Sequence, residues 1–295
     1  MELSTTLINV PPLTREDLNH RIREAIVNSR SLRVVKEDVL GEGEGAWDSD
    51  PRYPVDVVNC MTWLQLVLCE AYGHGLEDKL PVMDRIRYYG GHVAYGLRKH
   101  FIDHWLAIEP APLRRIPLGE FPGFQRSSVE LNFEHFKAFH EYSCDLYRED
   151  LSKIDIEYIT PEGFVALVET LRPGHYVVFA VPTEKYLSRF GQGCGPMGLV
   201  HSIVLAVNST DEAGNPSLCR SQDAVIYHAS IRLGAVANIK LVDYLENMRV
   251  VYHGYALFEI DPAWDFMSPC ADDEAVRKIK KCELTLGTNP DCRRL

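Results

Sequence analysis

A thiol and two imidazoles are the groups in this chain best suited to covalent chemistry at neutral pH. Cys60 lies in an apolar segment from Val57 to Leu68 and follows Asn59, a good N-cap residue. This predicts a thiol on the first turn of a buried helix whose inner face carries Leu64, Val67 and Leu68. A helix N-terminus and a neighbouring imidazolium both favour the thiolate, the nucleophilic form of cysteine. His201 and His228 lie in two β-rich runs, Val200–Leu205 and Val225–Ser230. Paired antiparallel across the polar 208–223 connection, these runs bring the two rings nearly opposite each other, on one face with Ile203, Leu205 and Ile226. A histidine on such an apolar face needs a polar partner. The chemistry implied is attack by Cys60, with His201 as base and His228 orienting it and holding its tautomer.

The elements that must position these residues are read from periodicity and punctuation. Thr14-Arg15-Glu16-Asp17 resembles a helix start, with Leu18, Ile22 and Ile26 forming an apolar stripe. Gly41-Glu42-Gly43-Glu44-Gly45 reads as a mobile loop, too acidic to cradle phosphate. Residues 92–106 are mixed aromatic and basic, and the prolines and glycines of 112–134 predict a long surface loop. In the second half, Pro161 to Leu171 reads as a helix, and strands are predicted at 176–181, 200–207, 224–229, 236–240 and 250–260, with a helix at 241–248. Gly193–Gly198 matches G-x-G-x-x-G, but a strand follows where a dinucleotide site requires a helix. Helices first and strands later predict an α+β fold with an antiparallel sheet.

The chain has 295 residues, 46% hydrophobic and 25% charged, with 31 basic against 42 acidic side chains and a net charge of −11. That balance is globular and argues against a broad basic footprint for nucleic acid. No apolar run approaches the roughly 18–20 residues of a membrane span. Met1–Thr6 shows no secretory pattern, so cytoplasmic synthesis is expected, with signal-independent export as an effector as the variant. The eight cysteines, at 60, 69, 144, 194, 219, 270, 282 and 292, contain no C-x-x-C pair, which argues against structural zinc. Reduced thiols are expected, although Cys270, Cys282 and Cys292 cluster closely enough to hold one disulfide in an oxidising space. His100 and His104 share a helical face, but Phe101-Ile102-Asp103 between them lacks a metalloprotease glutamate, so packing beside Trp105 is expected. Arg85 and Arg98 can each pair with a substrate carboxylate, and Tyr88 can serve as an oxyanion donor.

Val58-Asn59-Cys60-Met61-Thr62-Trp63-Leu64-Gln65 resembles the nucleophile segment of the N-acetylmuramoyl-L-alanine amidase-like family, in the NlpC-type branch of papain-like cysteine peptidases. Arg85-Ile86-Arg87-Tyr88, followed by Tyr95-Gly96-Leu97-Arg98-Lys99-His100 and Trp105, is similar to a second family motif, and Asn132-Phe133 resembles a third. His201 and His228-Ala229-Ser230 resemble the strands that hold the base and its orienting partner. The resemblance runs over about residues 55–260. Asn59 departs from an acidic residue, Gln65 from a glutamate, Val200 from a serine, and Gly174-His175 from Gly-Asp.

This resemblance implies a papain-like (NlpC-type) α+β fold, with the nucleophile helix packed on an antiparallel sheet. It implies a catalytic domain at 51–262, an N-terminal helical and loop extension at 1–50 and a C-terminal extension at 263–295. Tyr95, Arg98 and His100 then line the cleft, and Tyr88, Arg85 and Ser230 join the substrate-binding set. The activity implied is a cysteine amidohydrolase working through an acyl-enzyme on the amide between N-acetylmuramic acid and L-alanine, or a related peptidoglycan bond. No metal or organic cofactor is called for, and the expected partner is a small-molecule or glycopeptide substrate. An acyltransferase passing the acyl group to an amine or alcohol in a cytoplasmic pathway is the alternative, and a non-catalytic binding or effector module a third reading. Oligomeric state is left open.

Overall fold

The structure, a computed structural model, describes residues 13–44, 46–54, 56–73, 75–108, 112–190, 198–207, 221–266 and 273–286. The helices are α1 (Arg15–Asn28), α2 (Cys60–Tyr72), α3 (Leu76–Arg87), α4 (Ile102–Ile108), α5 (Phe133–Phe139), α6 (Pro161–Val168), α7 (Glu184–Phe190), α8 (Leu241–Met248) and α9 (Glu274–Leu286). The strands are β1 (Arg33–Val34), β2 (Val57–Val58), β3 (Leu113–Arg115), β4 (Phe124–Glu130), β5 (Lys153–Ile159), β6 (Gly174–Pro182), β7 (His201–Val207), β8 (Val225–Ser230), β9 (Ala235–Lys240) and β10 (Tyr252–Ile260).

One mixed sheet organises the described residues, in the order β2-β1-β9-β8-β7-β6-β10-β5-β4, with β3 on β10. Its pairings are antiparallel apart from β1 on β2. Helices cover both faces of the middle strands, which explains why β6 is buried along nearly its whole length instead of alternating. Cys60–Tyr72 lies against one face with α1 and α3, so its burial is nearly all-round: Trp63, Leu64, Val67 and Leu68 are fully buried. On the other face, α6 and α8 pack Phe164, Leu167, Tyr244 and Leu245 over Ile203, Leu205 and Ile226.

The helix at 241–248 and the strands around 176–181, 200–207, 224–229, 236–240 and 250–260 appear close to their predicted limits. The reading of 112–134 as a surface loop is corrected: β3 and all of β4 lie there. Phe124-Gln125-Arg126-Ser127-Ser128-Val129-Glu130 carries little apolar alternation because β4 is an edge strand with mostly exposed or partly exposed side chains. Seven rungs with β5, from Phe124↔Ile159 to Glu130↔Lys153, hold it in the sheet.

The expectation of reduced thiols is also corrected. Cys282 on α9 forms a disulfide with Cys144, their Cα atoms 6.0 Å apart, rather than with its neighbours in sequence; Cys270 and Cys292 lie outside the described residues. Glu283 fastens the same helix, accepting the backbone N–H groups of Tyr95 (3.2 Å) and Gly96 (2.7 Å) and the Tyr142 hydroxyl (2.6 Å). The G-x-G-x-x-G motif likewise falls outside the described residues, except for Gly198. Among the described residues no helix is long and apolar enough to cross a membrane, and no cluster of His, Cys, Asp and Glu could hold a metal.

Candidate active site

Asn59 and Thr62 build the end of the helix that presents Cys60. The Asn59 side chain accepts the Thr62 N–H at 2.9 Å, and the Thr62 hydroxyl accepts the Asn59 N–H at 2.8 Å, a reciprocal capping box. Cys60 is therefore the first residue of α2, half-buried and in the free thiol form. Across from it lies the start of β7. The Ser202 hydroxyl donates to the Cys60 carbonyl at 2.5 Å, tying α2 to the residue next to His201. The β7–β8 ladder ends at Val204↔Tyr227, so His201 and Ser202 lie beyond its last rung. There the Ser202 N–H acts on the Cys60 sulfur. Sequence reasoning missed Ser202, whose only signal was its place beside a candidate base in a strand.

His201 and His228 meet: Nε2 of the first lies 3.1 Å from Nδ1 of the second, with the rings perpendicular. Extending the β7–β8 register would set His228 across from Ile203, so the two imidazoles make a diagonal contact rather than a direct cross-strand pair. Ile203, Leu205 and Ile226 do share their face. Tyrosines close the surroundings. The Tyr252 ring lies parallel to His201 at 6.1 Å, and Tyr244 stands edge-on to His228 at 5.4 Å. Burial chiefly raises the pKa of Tyr186, Tyr244 and Tyr252, and charge at Cys60 adds to each, so these tyrosines lie near the thiol as well as the imidazoles.

Burial decides the resting charges. It pushes the Cys60 thiol up, against the opposing pull of the Ser202 N–H and hydroxyl and of the Met61 and Cys60 N–H groups. It also holds His201 well below the ordinary imidazole value, with the nearby His228 adding to the effect, and lowers His228 in the same way. Burial thus favours a neutral thiol and two neutral imidazoles over the thiolate–imidazolium pair expected from the helix terminus. Desolvation of two charges outweighs a partial positive charge at one helix end.

The AmiA-like family, described as N-acetylmuramoyl-L-alanine amidase-like, matches residues 35–251, well over half of the chain. The chain belongs to this family. No functionally curated protein sequence matches it. Among solved structures, it is similar to protein LPG0564 from Legionella pneumophila, of family DUF1460, at 19% identity with a TM-score of 0.64 over 83% of this chain and 89% of that one. It is also similar to an N-acetylmuramoyl-L-alanine amidase from Bacteroides uniformis at 14% identity, with a TM-score of 0.57 over 81% of this chain and 98% of that one. At these identities the likeness is one of fold.

The remaining candidates in this AmiA-like chain have partners of their own. Tyr88 is fully buried and its hydroxyl donates to the Gly41 carbonyl at 2.7 Å, which commits the proton an oxyanion donor would need. Arg98 is buried too, its Nη2 at 2.5 Å from Glu42 and 2.8 Å from Asp48, so carboxylates of its own chain occupy the guanidinium. Arg87 extends this network to Asp38 at 2.9 Å and to Gln65 of α2 at 3.2 Å. The Gly41–Gly45 segment, expected to be mobile, therefore supplies a buried acid: Glu42 is 6% exposed and finds its partner 56 residues away. Tyr95 is buried under the Arg98 guanidinium, 4.8 Å from its ring centre, and His100 Nε2 lies 2.8 Å from the Tyr95 carbonyl. Arg85 is half-buried, its carbonyl accepting from Lys99 at 3.0 Å. Ser230 closes β8, two residues past His228 and opposite Ala235. His104 lies between the Tyr89 hydroxyl and the Arg148 carbonyl, as the packing reading of the His100/His104 pair expects.

Proposed function

We propose that this AmiA-like chain is a cysteine amidase of the NlpC-type, papain-like superfamily that cleaves the amide between N-acetylmuramic acid and L-alanine, or a closely related peptidoglycan bond. The observation that carries this reading is the His201–His228 contact, with His201 next in sequence to the serine that grips the Cys60 carbonyl. The family description and the amidase name of the Bacteroides uniformis protein support the substrate class.

The ring nitrogens fix a proton route. With Nε2 of His201 facing Nδ1 of His228, a proton on His201 Nε2 is donated to His228, leaving His201 Nδ1 as the free base. Cys60 Sγ attacks the carbonyl carbon as His201 Nδ1 takes the thiol proton. The tetrahedral adduct collapses with that proton passing to the departing amine of L-alanine, leaving an acyl-enzyme. Water, deprotonated by His201, then releases the muramoyl carboxylate and restores the thiol. His228 accepts the Nε2–H of His201 throughout and stabilises the transient imidazolium. A neutral resting pair suits general-base attack, because the charges appear only when the adduct forms. Peptidoglycan lies outside the cytoplasm, and the Cys144–Cys282 disulfide supports work in oxidising surroundings after export.

Purified protein and its Cys60→Ala variant, incubated with muropeptides and with free amine acceptors, test the reading by mass spectrometry. Release of L-alanyl peptide by the native protein and its loss in the variant is the expected result. A conjugate that forms only with acceptor overturns hydrolysis in favour of acyl transfer, and equal release by the variant overturns the cysteine mechanism.

A further inference from the structure

Asp103, in the first turn of α4, is a carboxylate that the proposed chemistry leaves unused, and it is 3% exposed. Its Oδ2 accepts the Gly198 N–H at 3.0 Å, the Leu199 N–H also favours its ionised form, and its Oδ1 is buried with no hydrogen-bond partner among the described residues. No cation enters among the described residues: burial dominates and raises its pKa to about 7.

The backbone that Asp103 holds is the entry to β7. Gly198 is closely packed: a Cβ there would lie 1.8 Å from Ile156 Cδ1, which would have to swing away, and 3.2 Å from Asp103 Oδ1. Two residues on, the Val200 N–H donates to the Ala180 carbonyl at 3.1 Å, next to the rung that sets His201 opposite Ala180. We infer that Asp103 is a positioning residue, which grips the Gly198–Leu199 backbone, fixes where β7 begins, and so aims the His201 ring. The catalytic meaning of that aim rests on the function proposed for His201; the grip itself does not.

The charged groups around it are turned elsewhere. On β5, Ile156 faces this contact, while Asp155 and Glu157 alternate to the other side and Glu157 pairs with Arg115 and Arg126. On its own helix, His104 faces Tyr89 and the Arg148 carbonyl; before the helix, Lys99 lies over the Tyr89 and Trp105 rings. Titration of Asp103 is then the change that loosens or tightens this contact near neutral pH.

Iodoacetamide labelling, counted at residue 60 by mass spectrometry, tests the inference without any substrate. Asp103→Asn keeps an oxygen acceptor but loses the titration, and Asp103→Ala loses both. At about pH 8 the native chain should label Cys60 about threefold faster than the Asn variant, while at about pH 6, where the native carboxyl is protonated, the two rates should converge. Asp103→Ala should be slow at both. Native and Asn rates in the same ratio at both pH values overturn the inference, as does a folded Ala variant that labels like the native chain. If the Ala variant fails to fold, the native-to-Asn comparison still decides. Loss of muropeptide cleavage from the proposal above leaves this readout intact, so the two can fail separately.

Discussion

Cys60 is pulled two ways, by the N–H groups at the start of its helix and by the loss of water around the sulfur, and burial is the larger effect. Alkylation of Cys60 should accordingly titrate above the ordinary thiol value of about 8.5. A midpoint below that value would show a preformed thiolate and sink the neutral-pair description. The histidine pair adds a stability signature of definite sign. Both rings are held below the unfolded imidazole value, so as pH falls from about 6.5 the unfolded chain takes up protons that the folded one refuses. Their contribution is whole above that value and is lost as pH falls toward their depressed folded values. Thermal melts between about pH 7 and pH 5 should show a shallower loss in a His201→Gln, His228→Gln double variant than in the native chain. Asp103 runs the opposite way: its raised pKa costs stability as pH climbs from about 4 to about 7, so Asp103→Asn should raise Tm more at about pH 8 than at about pH 5. An equal gain at both would contradict its burial as an anion.

At the scale of elements, the site depends on one helix end and one strand start, and each is held by contacts beyond itself. Asn59 and Thr62 are local and could be read in advance, because a cap is made by residues three apart. The network under the Tyr88–His100 segment is different. Glu42 and Asp48 come from the β1–β2 connection and Arg98 from the segment before α4, and Gln65 carries the network onto α2 through Arg87. Removing Arg98 would leave two carboxylates, 1% and 12% exposed at the side chain, facing each other without their cation. Arg98→Met should therefore cost about 3–5 kcal/mol in urea unfolding. A cost below about 1 kcal/mol would mean that water reaches these acids and that the network is a surface one.

Across the whole molecule, α9 is fastened over the Tyr95–Leu97 turn by a covalent bond to Cys144 and by the Glu283 carboxylate. The disulfide joins positions 138 residues apart, a loop long enough for cross-linking to restrict the unfolded chain by roughly 4–5 kcal/mol in the chain-entropy description. Cys282→Ser, or reduction of the native protein, should lower the unfolding midpoint by a comparable amount, and reductant should leave the variant unchanged. Equal stability of oxidised and reduced protein would show that Glu283 and the apolar face of Val276 and Ile279 hold α9 unaided.

What could be read from the chain beforehand is what short-range physics controls. Runs of β-branched and aromatic residues announced β6 through β10, the four-residue stripe of Leu18, Ile22 and Ile26 announced α1, and the Asn59 cap placed Cys60 on its first turn. The meeting of His201 and His228 was within reach because two neighbouring strands leave few registers. Folding in three dimensions decided the rest. The charge state of the thiol, the serine that touches it, the acid that neutralises Arg98 and the cysteine that captures Cys282 all depend on which distant segments exclude water from a given atom. Desolvation is a sum over those neighbours, and no local stretch of sequence contains it.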